Sequence, residues 1–282
     1  MSFHPDKPWP APAKLNLMLR ILGRRPDGYH LLQTVFQFVD ASDELYFRVR
    51  RDGLIRRVSP LAGVPEDQDL VVRAARLLQQ EAGVAAGADI RLEKRLPMGG
   101  GLGGGSSDAA TTLVALNRLW DLGLGAEQLA GLGLRLGADV PVFIRGQAAW
   151  AEGVGESLSP VDLPEPWYLI LVPPCHVSTA EIFADPELTR DSPRITIADF
   201  LSGRAENDCL AVVRRHYPPV ADALDWLGRF AEPRLTGTGG CVFAAFEDEG
   251  SAQSVLRQLR GNCQGLVVRG MNRSPLLAAA AG

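Results

Sequence analysis

The sequence predicts a two-domain α+β protein, and two patterns carry that prediction. In the first half, the alternating stretch Asp89–Leu96 runs into a glycine-rich loop and then into a helical repeat of apolar residues, giving the order strand, loop, helix. In the second half the apolar patterns follow one another as strand, helix, strand, strand, helix, strand, a split βαβ arrangement. Pro160, Pro164 and Pro166 fall between the two patterns and mark the boundary, so the domains are read as residues 1–163 and 164–282.

The elements follow in chain order. Pro8, Pro10 and Pro12 keep the start extended, and Ala13–Ile21 reads as a strand. Ala13, Leu15, Leu17 and Leu19 share one face of it, and Lys14 and Asn16 share the other. Gly23–His30 is turn-rich through Pro26-Asp27-Gly28 and ends in two ring side chains, Tyr29 and His30. Gln33–Val39 and Glu44–Arg50 read as two strands, expected to be antiparallel neighbours. A turn region spans Pro60–Gln68. Asp69 caps a helix that runs to about Glu81, with Leu70, Val71, Ala74, Leu77 and Leu78 as its apolar stripe and Gly83 as its stop. The glycine loop follows the strand at Asp89–Leu96. Ser106-Ser107-Asp108 then reads as the start of a helix to Trp120, carrying Ala110, Leu113, Val114, Leu116 and Trp120.

Gly125–Leu136 is expected to be a further helix. Pro141 biases Val140 away from helix, which puts Asp139 at a helix end or turn, and Val142–Ile144 and Ala148–Glu152 read as short strands around Gly146. In the second half Trp167–Val172 is an apolar strand. Thr179–Ala184, Asn207–His216 and Pro219–Phe230 read as helices. Leu235–Gly240 and Cys241–Phe246 read as a strand pair, Ser251–Leu259 as a helix and Gly265–Arg269 as the last strand.

The glycine loop is the main functional signal. Six of the seven positions from Gly99 to Gly105 are glycine. Each glycine loses more backbone entropy on ordering than any other residue, so an ordered run of them implies a use. A Cβ-free backbone that opens onto a helix N-terminus collects unpaired N–H groups and the positive end of the helix dipole, which together make an anion site. Gly99, Gly101 and Gly104 satisfy a G-x-G-x-x-G spacing, but so many glycines satisfy almost any spacing. The acidic residue at the right distance, Asp121, follows a helix directly, which argues against a dinucleotide fold. The P-loop pattern fails because no Lys precedes the serines. The loop therefore reads as a phosphate cradle of another family.

Composition narrows the class. The chain has 282 residues, 46% hydrophobic and 22% charged, ordinary for a globular enzyme. Its net charge of −4, with no long basic run, argues against nucleic acid as a partner. Cys175, Cys209, Cys241 and Cys263 show no CxxC spacing, so neither a zinc site nor a redox motif is expected, and they read as reduced thiols of a cytoplasmic protein. The stretch Ser2–Pro10 carries no apolar leader-like run, and no segment approaches the ~18 apolar residues of a membrane span. A rival reading, an RNA-binding protein, is weakened by the acidic balance and the absence of RNP-type aromatics.

Several separated motifs, in order, resemble those of the GHMP kinases (galactose, homoserine, mevalonate and phosphomevalonate kinases). They are Pro12-Ala-Lys-Leu-Asn-Leu, the loop Pro97-Met-Gly-Gly-Gly-Leu-Gly-Gly-Gly-Ser-Ser-Asp-Ala-Ala, and Leu235-Thr-Gly-Thr-Gly-Gly-Cys-Val-Phe. Arg25-Pro-Asp-Gly-Tyr-His-Leu-Leu-Gln-Thr-Val-Phe-Gln and Gly137-Ala-Asp-Val-Pro-Val-Phe resemble the branch whose substrate is 4-diphosphocytidyl-2-C-methyl-D-erythritol. The resemblance spans about Trp9 to Pro275. It implies a ribosomal protein S5 domain 2-like first half, a ferredoxin-like second half, and a site in the cleft between them. ATP would be the phosphoryl donor, Mg²⁺ would assist, and the acceptor would be the 2-hydroxyl of that substrate. A GHMP kinase for another alcohol, such as mevalonate or homoserine, is the alternative.

By the same resemblance Asp139 is the base and Lys14 the lysine that contacts and stabilises it. Asn16 positions substrate. Tyr29 stacks on the cytosine, His30 hydrogen-bonds it, Phe183 covers the opposite face, and Thr179 lies near the diphosphate. Gly239 and Gly240 let backbone approach the substrate phosphates. Pro97, Met98, Gly99, Gly100, Gly101, Leu102, Gly103, Gly104, Gly105, Ser106 and Ser107 hold ATP, and Asp69 stands where an adenine-facing residue is expected. Gly104 and Gly105 occupy the places where superfamily members usually carry serines, so the resemblance assigns no metal-holding group. The protein is expected to be a monomer or weak homodimer.

Overall fold

The computed structural model describes residues 7–61 and 63–281; residues 2–6, the start of the stretch read above for an apolar leader, lie outside them. β1 (Trp9–Arg24) and β2 (His30–Arg50) form a long antiparallel hairpin joined by the turn-rich loop, where Gly28 takes a φ of 91° and donates to the carbonyl of Arg25. The pairing register shifts between Pro12 and Lys14 and again between Asn16 and Met18. These irregularities bracket Lys14 and Asn16, and such bulges re-aim side chains beside sites.

β3 (Ile55–Arg57) pairs in parallel with β4 (Gly87–Glu93), and α1 (Leu70–Ala82) lies between them in sequence. Asp69 caps α1 by accepting from the Val71 amide, and Gly83 closes it with a left-handed φ of 62°. After the glycine loop come α2 (Gly104–Leu119), α3 (Ala126–Leu134) and α4 (Val140–Arg145), then β5 (Ala149–Gly153) and β6 (Ser157–Pro160). Phe38, Leu45, Leu78, Ile90, Leu113 and Phe143 are buried together where these helices cover the sheet.

The second half runs β7 (Trp167–Val172), α5 (Thr179–Ala184), α6 (Ile197–Leu201), α7 (Leu210–His216) and α8 (Pro218–Leu227). It continues through β8 (Arg234–Leu235), β9 (Val242–Phe246), α9 (Glu249–Leu256), β10 (Gln264–Met271) and α10 (Pro275–Ala281). Its strands lie in the order β10-β7-β9-β8, all antiparallel, which is the split βαβ sheet expected from the sequence. β10 also pairs with β2 through Gly270 and Met271, so the sheets of the two halves are continuous. No helix among the described residues is long and apolar enough to cross a membrane.

Four expectations are corrected. Residues 33–39 and 44–50 are one strand, not two neighbours; the first stretch pairs antiparallel chiefly with β1 and the second with β4. The polar residues between them make no turn: the Asp40 carboxylate accepts from the Arg269 amide and Asp43 from the amides of Arg95 and Leu96. Residues 142–144 are helical, because Pro141 sits in the first turn of α4, where a missing N–H costs nothing, and Gly146 caps the end at φ 64°. α2 starts at Gly104, ahead of the serines, with Gly103 at the cap. The strand expected over 235–240 is only Arg234–Leu235, because Gly237, Gly239 and Gly240 turn to positive φ.

Candidate active site

The two bulges in β1 leave Lys14 and Asn16 buried beneath the glycine loop. The Lys14 ammonium donates to the Asn16 side-chain oxygen and, at 3.1 Å, to the Gly101 carbonyl, and it lies 3.2 Å from the Asp139 carboxylate. Asp139 occupies the cap position of α4 without capping it, so its side chain is free to face Lys14, and it remains 36% exposed. Asn16 in turn donates to Thr34 at 2.8 Å, and its amide donates to Thr236 Oγ1 at 3.0 Å. Thr236 Oγ1 also reaches the Gly101 carbonyl at 3.3 Å. Three segments far apart in sequence thus meet on one carbonyl.

Glycine is required where these segments touch. Gly101 has φ +77°, and a Cβ there would lie 2.5 Å from the Thr236 carbonyl oxygen. Gly103 has φ +74°, and a Cβ there would meet the Phe143 ring at 2.7 Å and Lys14 at 3.0 Å. With glycine at its cap, α2 has no side-chain partner for its first N–H groups, which leaves them to an anion.

Two cavities meet at this loop, and Gly101 and Gly103 line both. The smaller, of about 420 Å³, is lined by Pro97–Ser106 together with Asp69, Lys94 and Asp108. Ser107 is fully buried instead, and its hydroxyl has no hydrogen-bond partner. Asp69, expected near adenine, is buried; its carboxylate pairs with Arg57 at 2.7 Å and caps α1. Lys94 is held between Asp43 and Asp108, and burial pushes the Asp108 carboxyl up to about 7 despite the lysine charge.

The larger cavity, of about 710 Å³, is lined by Lys14, Asn16, Tyr29, His30, Asp139, Thr179 and Phe183 among others, so it gathers the expected acceptor-side residues. The His30 and Phe183 rings stack on each other, centroids 4.7 Å apart and planes 20° apart, while Tyr29 is 62% exposed. Thr179 hydrogen-bonds Thr238 at 2.7 Å. Gly237 and Thr238 line the cavity, whereas Gly239 packs against Val213 and Gly240 against Gly99 and Gly100. The Cys241 amide donates to the Gly100 carbonyl, and its thiol is pushed by burial to about 12, which makes it inert packing under the loop.

Comparison with known proteins agrees with this architecture. The family described as GHMP kinases N terminal domain matches residues 69–147, and GHMP kinases C terminal matches residues 194–265. The chain belongs to the GHMP kinase family. This GHMP kinase is 64% identical over 271 residues to the 4-diphosphocytidyl-2-C-methyl-D-erythritol kinase of Methylococcus capsulatus, covering 96% of its own length and 93% of the relative's. It is 62% identical to the enzyme of the same name from Nitrosococcus oceani, over 95% and 96% of the two chains. A crystal structure of 4-(cytidine 5'-diphospho)-2C-methyl-D-erythritol kinase superposes with a TM-score of 0.80 at 32% identity, covering 94% of this chain and 100% of that one. A mevalonate kinase structure shares the fold, with a TM-score of 0.71 at 16% identity. As a GHMP kinase the protein is a phosphotransferase with ATP as donor.

Thr34, Thr236 and Arg190 of this GHMP kinase were not singled out from the sequence. Thr236 lies inside the third motif and was open to the same argument as its glycines. Arg190, which donates to His30 at 3.2 Å, carries no motif and is one of 29 basic residues.

Proposed function

We propose that this GHMP kinase transfers the ATP γ-phosphoryl group to the 2-hydroxyl of 4-diphosphocytidyl-2-C-methyl-D-erythritol. The observation that carries this is the Lys14–Asp139 pair at 3.2 Å, on the wall of the acceptor cavity that shares Gly101 and Gly103 with the glycine-loop cavity. A tertiary alcohol is a weak nucleophile, and a positioned carboxylate that takes its proton contributes roughly 10²–10⁴-fold. Asp139 is that base, and Lys14, 3.2 Å away, keeps it aimed. Asn16 orients the hydroxyl. The remaining work is positioning and charge neutralisation, for which the α2 N-terminus and the loop amides Gly99–Gly105 serve the donor phosphates. His30, Phe183 and Tyr29 serve the base of the acceptor, and Thr179 with Thr238 its diphosphate.

Mg²⁺ belongs to this reading. Among the described residues no group of three or more His, Cys, Asp and Glu is gathered to hold a metal. That fits a cation carried mainly by nucleotide phosphates and water, with few protein oxygens. Ser106, on the wall of the glycine-loop cavity, would be its protein ligand, and the ion would neutralise charge on the transferred group. We place the division between ATP-binding and acceptor-side domains at residues 163/164. We also infer cytoplasmic action as a monomer or weak homodimer.

The test is phosphoryl transfer from ATP to a panel of alcohols: the cytidylated methylerythritol, mevalonate and homoserine. Turnover is expected on the first alone, and Asp139→Asn should lower kcat by at least about 100-fold. Preference for mevalonate or homoserine would replace the acceptor assignment, and near-normal turnover in Asp139→Asn would remove the base.

A further inference from the structure

Arg190 follows α5 in the chain, and its guanidinium makes four hydrogen bonds to neutral acceptors. Nη2 donates to the carbonyls of Phe183 at 2.9 Å and Asp185 at 2.7 Å, Nη1 to the Leu188 carbonyl at 3.1 Å, and Nε to His30 Nε2 at 3.2 Å. Two of these hold the end of α5, one the segment that follows it at Leu188, and the fourth crosses to the start of β2. The same residue therefore holds the His30 ring and the backbone of Phe183, whose ring stacks on it.

The fourth bond has a chemical consequence. A guanidinium only donates, so His30 Nε2 must offer a lone pair. The ring is then neutral with its proton on Nδ1, the other nitrogen, in a side chain that lines the acceptor cavity. Burial, and after it the charges of Arg190 and Arg24, lower the His30 pKa and so also favour the neutral ring.

We propose that Arg190 is a specificity-determining positioning residue, which fixes His30 as the Nδ1–H tautomer and makes it a hydrogen-bond donor to the acceptor's base. The inference rests on the reading of this cavity as a cytosine site. A ring N–H directed at the base edge selects cytosine, whose N3 accepts, over uracil, whose N3 carries a hydrogen. The opposite tautomer would invert that preference.

The test has two arms. ¹⁵N NMR of histidine-labelled apoprotein, with His30→Gln to assign the resonance, reads the tautomer directly and needs neither substrate nor a variant at 190. The wild-type protein should show protonated Nδ1 and unprotonated Nε2 on His30 near pH 7. A wild-type Nε2–H tautomer, or an imidazolium, overturns the proposal. In the second arm, Arg190→Met should raise KM for the cytidine substrate roughly tenfold, the loss of about one hydrogen bond, with kcat within about threefold. The ratio of kcat/KM for the cytidine substrate over its uridine analogue should fall by a similar factor, and Arg190→Lys should restore part of it. An unchanged ratio in Arg190→Met overturns the specificity role. If the wild-type enzyme turns over neither nucleotide substrate, the cytosine reading fails while the NMR arm still decides what Arg190 does to His30.

Discussion

At Lys14 a single ammonium serves the Asn16 oxygen, the Gly101 carbonyl and the Asp139 carboxylate. It is 3% exposed and Asn16 is equally buried, so water cannot replace it for the Asn16 oxygen. Lys14→Met keeps the length of the side chain and removes the charge. It should leave at least one buried acceptor unsatisfied, at a cost of about 1–3 kcal/mol, visible as a lower Tm. Its larger effect should be on chemistry, because Asp139 loses the cation that holds its carboxylate in place: kcat is expected to fall by more than about 100-fold. Tm and kcat together separate the two roles. A lowered Tm with kcat within about twofold of wild type would make Lys14 a structural prop only. None of this was legible in the strand pattern, which gave Lys14 and Asn16 only as two polar residues on one face. Their burial comes from the loop laid over them, and that contact spans 87 positions of sequence.

Elements were read best where one local rule decided them. α1 shows its cap, apolar stripe and glycine stop in consecutive residues, and β7 is a short apolar run; both lie where the sequence put them. The pattern of β2 reads as two strands because the use of Asp40 and Asp43 lies on partners elsewhere, at Arg269, Arg95 and Leu96. α4 escapes the sequence pattern because Pro141 biases Val140 away from helix, whereas its place in the first turn starts one. The pairing of β2 with β4 shows how such distant partners stabilise an element. Asp89 on β4 stands opposite Arg48 and is bonded by Arg48 at 3.1 Å and Arg50 at 3.0 Å. Burial opposes its charge, but the two arginines outweigh burial and hold its carboxyl below the ordinary value. A carboxyl depressed in the folded state contributes stability that is present above its unfolded pKa, near 3.8, and lost as pH falls through the folded value. Asp89→Asn should therefore lower Tm at pH 7, by the equivalent of about 1–2 kcal/mol after allowing for the partly exposed Arg48. The gap between wild type and variant should close as pH is taken below about 4. A gap that stays constant with pH would assign the loss to packing instead of charge.

Across the whole molecule, the glycine loop is one of the places where the two halves of the kinase meet, and Gly101 touches both. Its carbonyl receives Lys14 from the first half and Thr236 from the second, and its Cα faces the Thr236 carbonyl closely enough that a Cβ would sit 2.5 Å from that oxygen and 3.1 Å from the Gly239 carbonyl. Both contacts are backbone, which cannot swing aside as a long side chain can. The φ of +77° adds strain of about 1 kcal/mol or more for any residue with a Cβ. Gly101→Ala should thus push the loop away from the second half. Because Gly101 lines both cavities, the displacement should be felt on both sides. KM for ATP and KM for the acceptor are each expected to rise roughly tenfold or more, and kcat to fall, since an error of about 1 Å in the approach of the reacting groups costs about 100-fold. Gly131→Ala is the matched control: it lies in α3, at a φ that suits an L-residue, with nothing within 4 Å of the added methyl, and should leave both KM values unchanged. If Gly101→Ala raises the KM of only one substrate, the loop serves one cavity, and the donor and acceptor sites are built by the two halves separately.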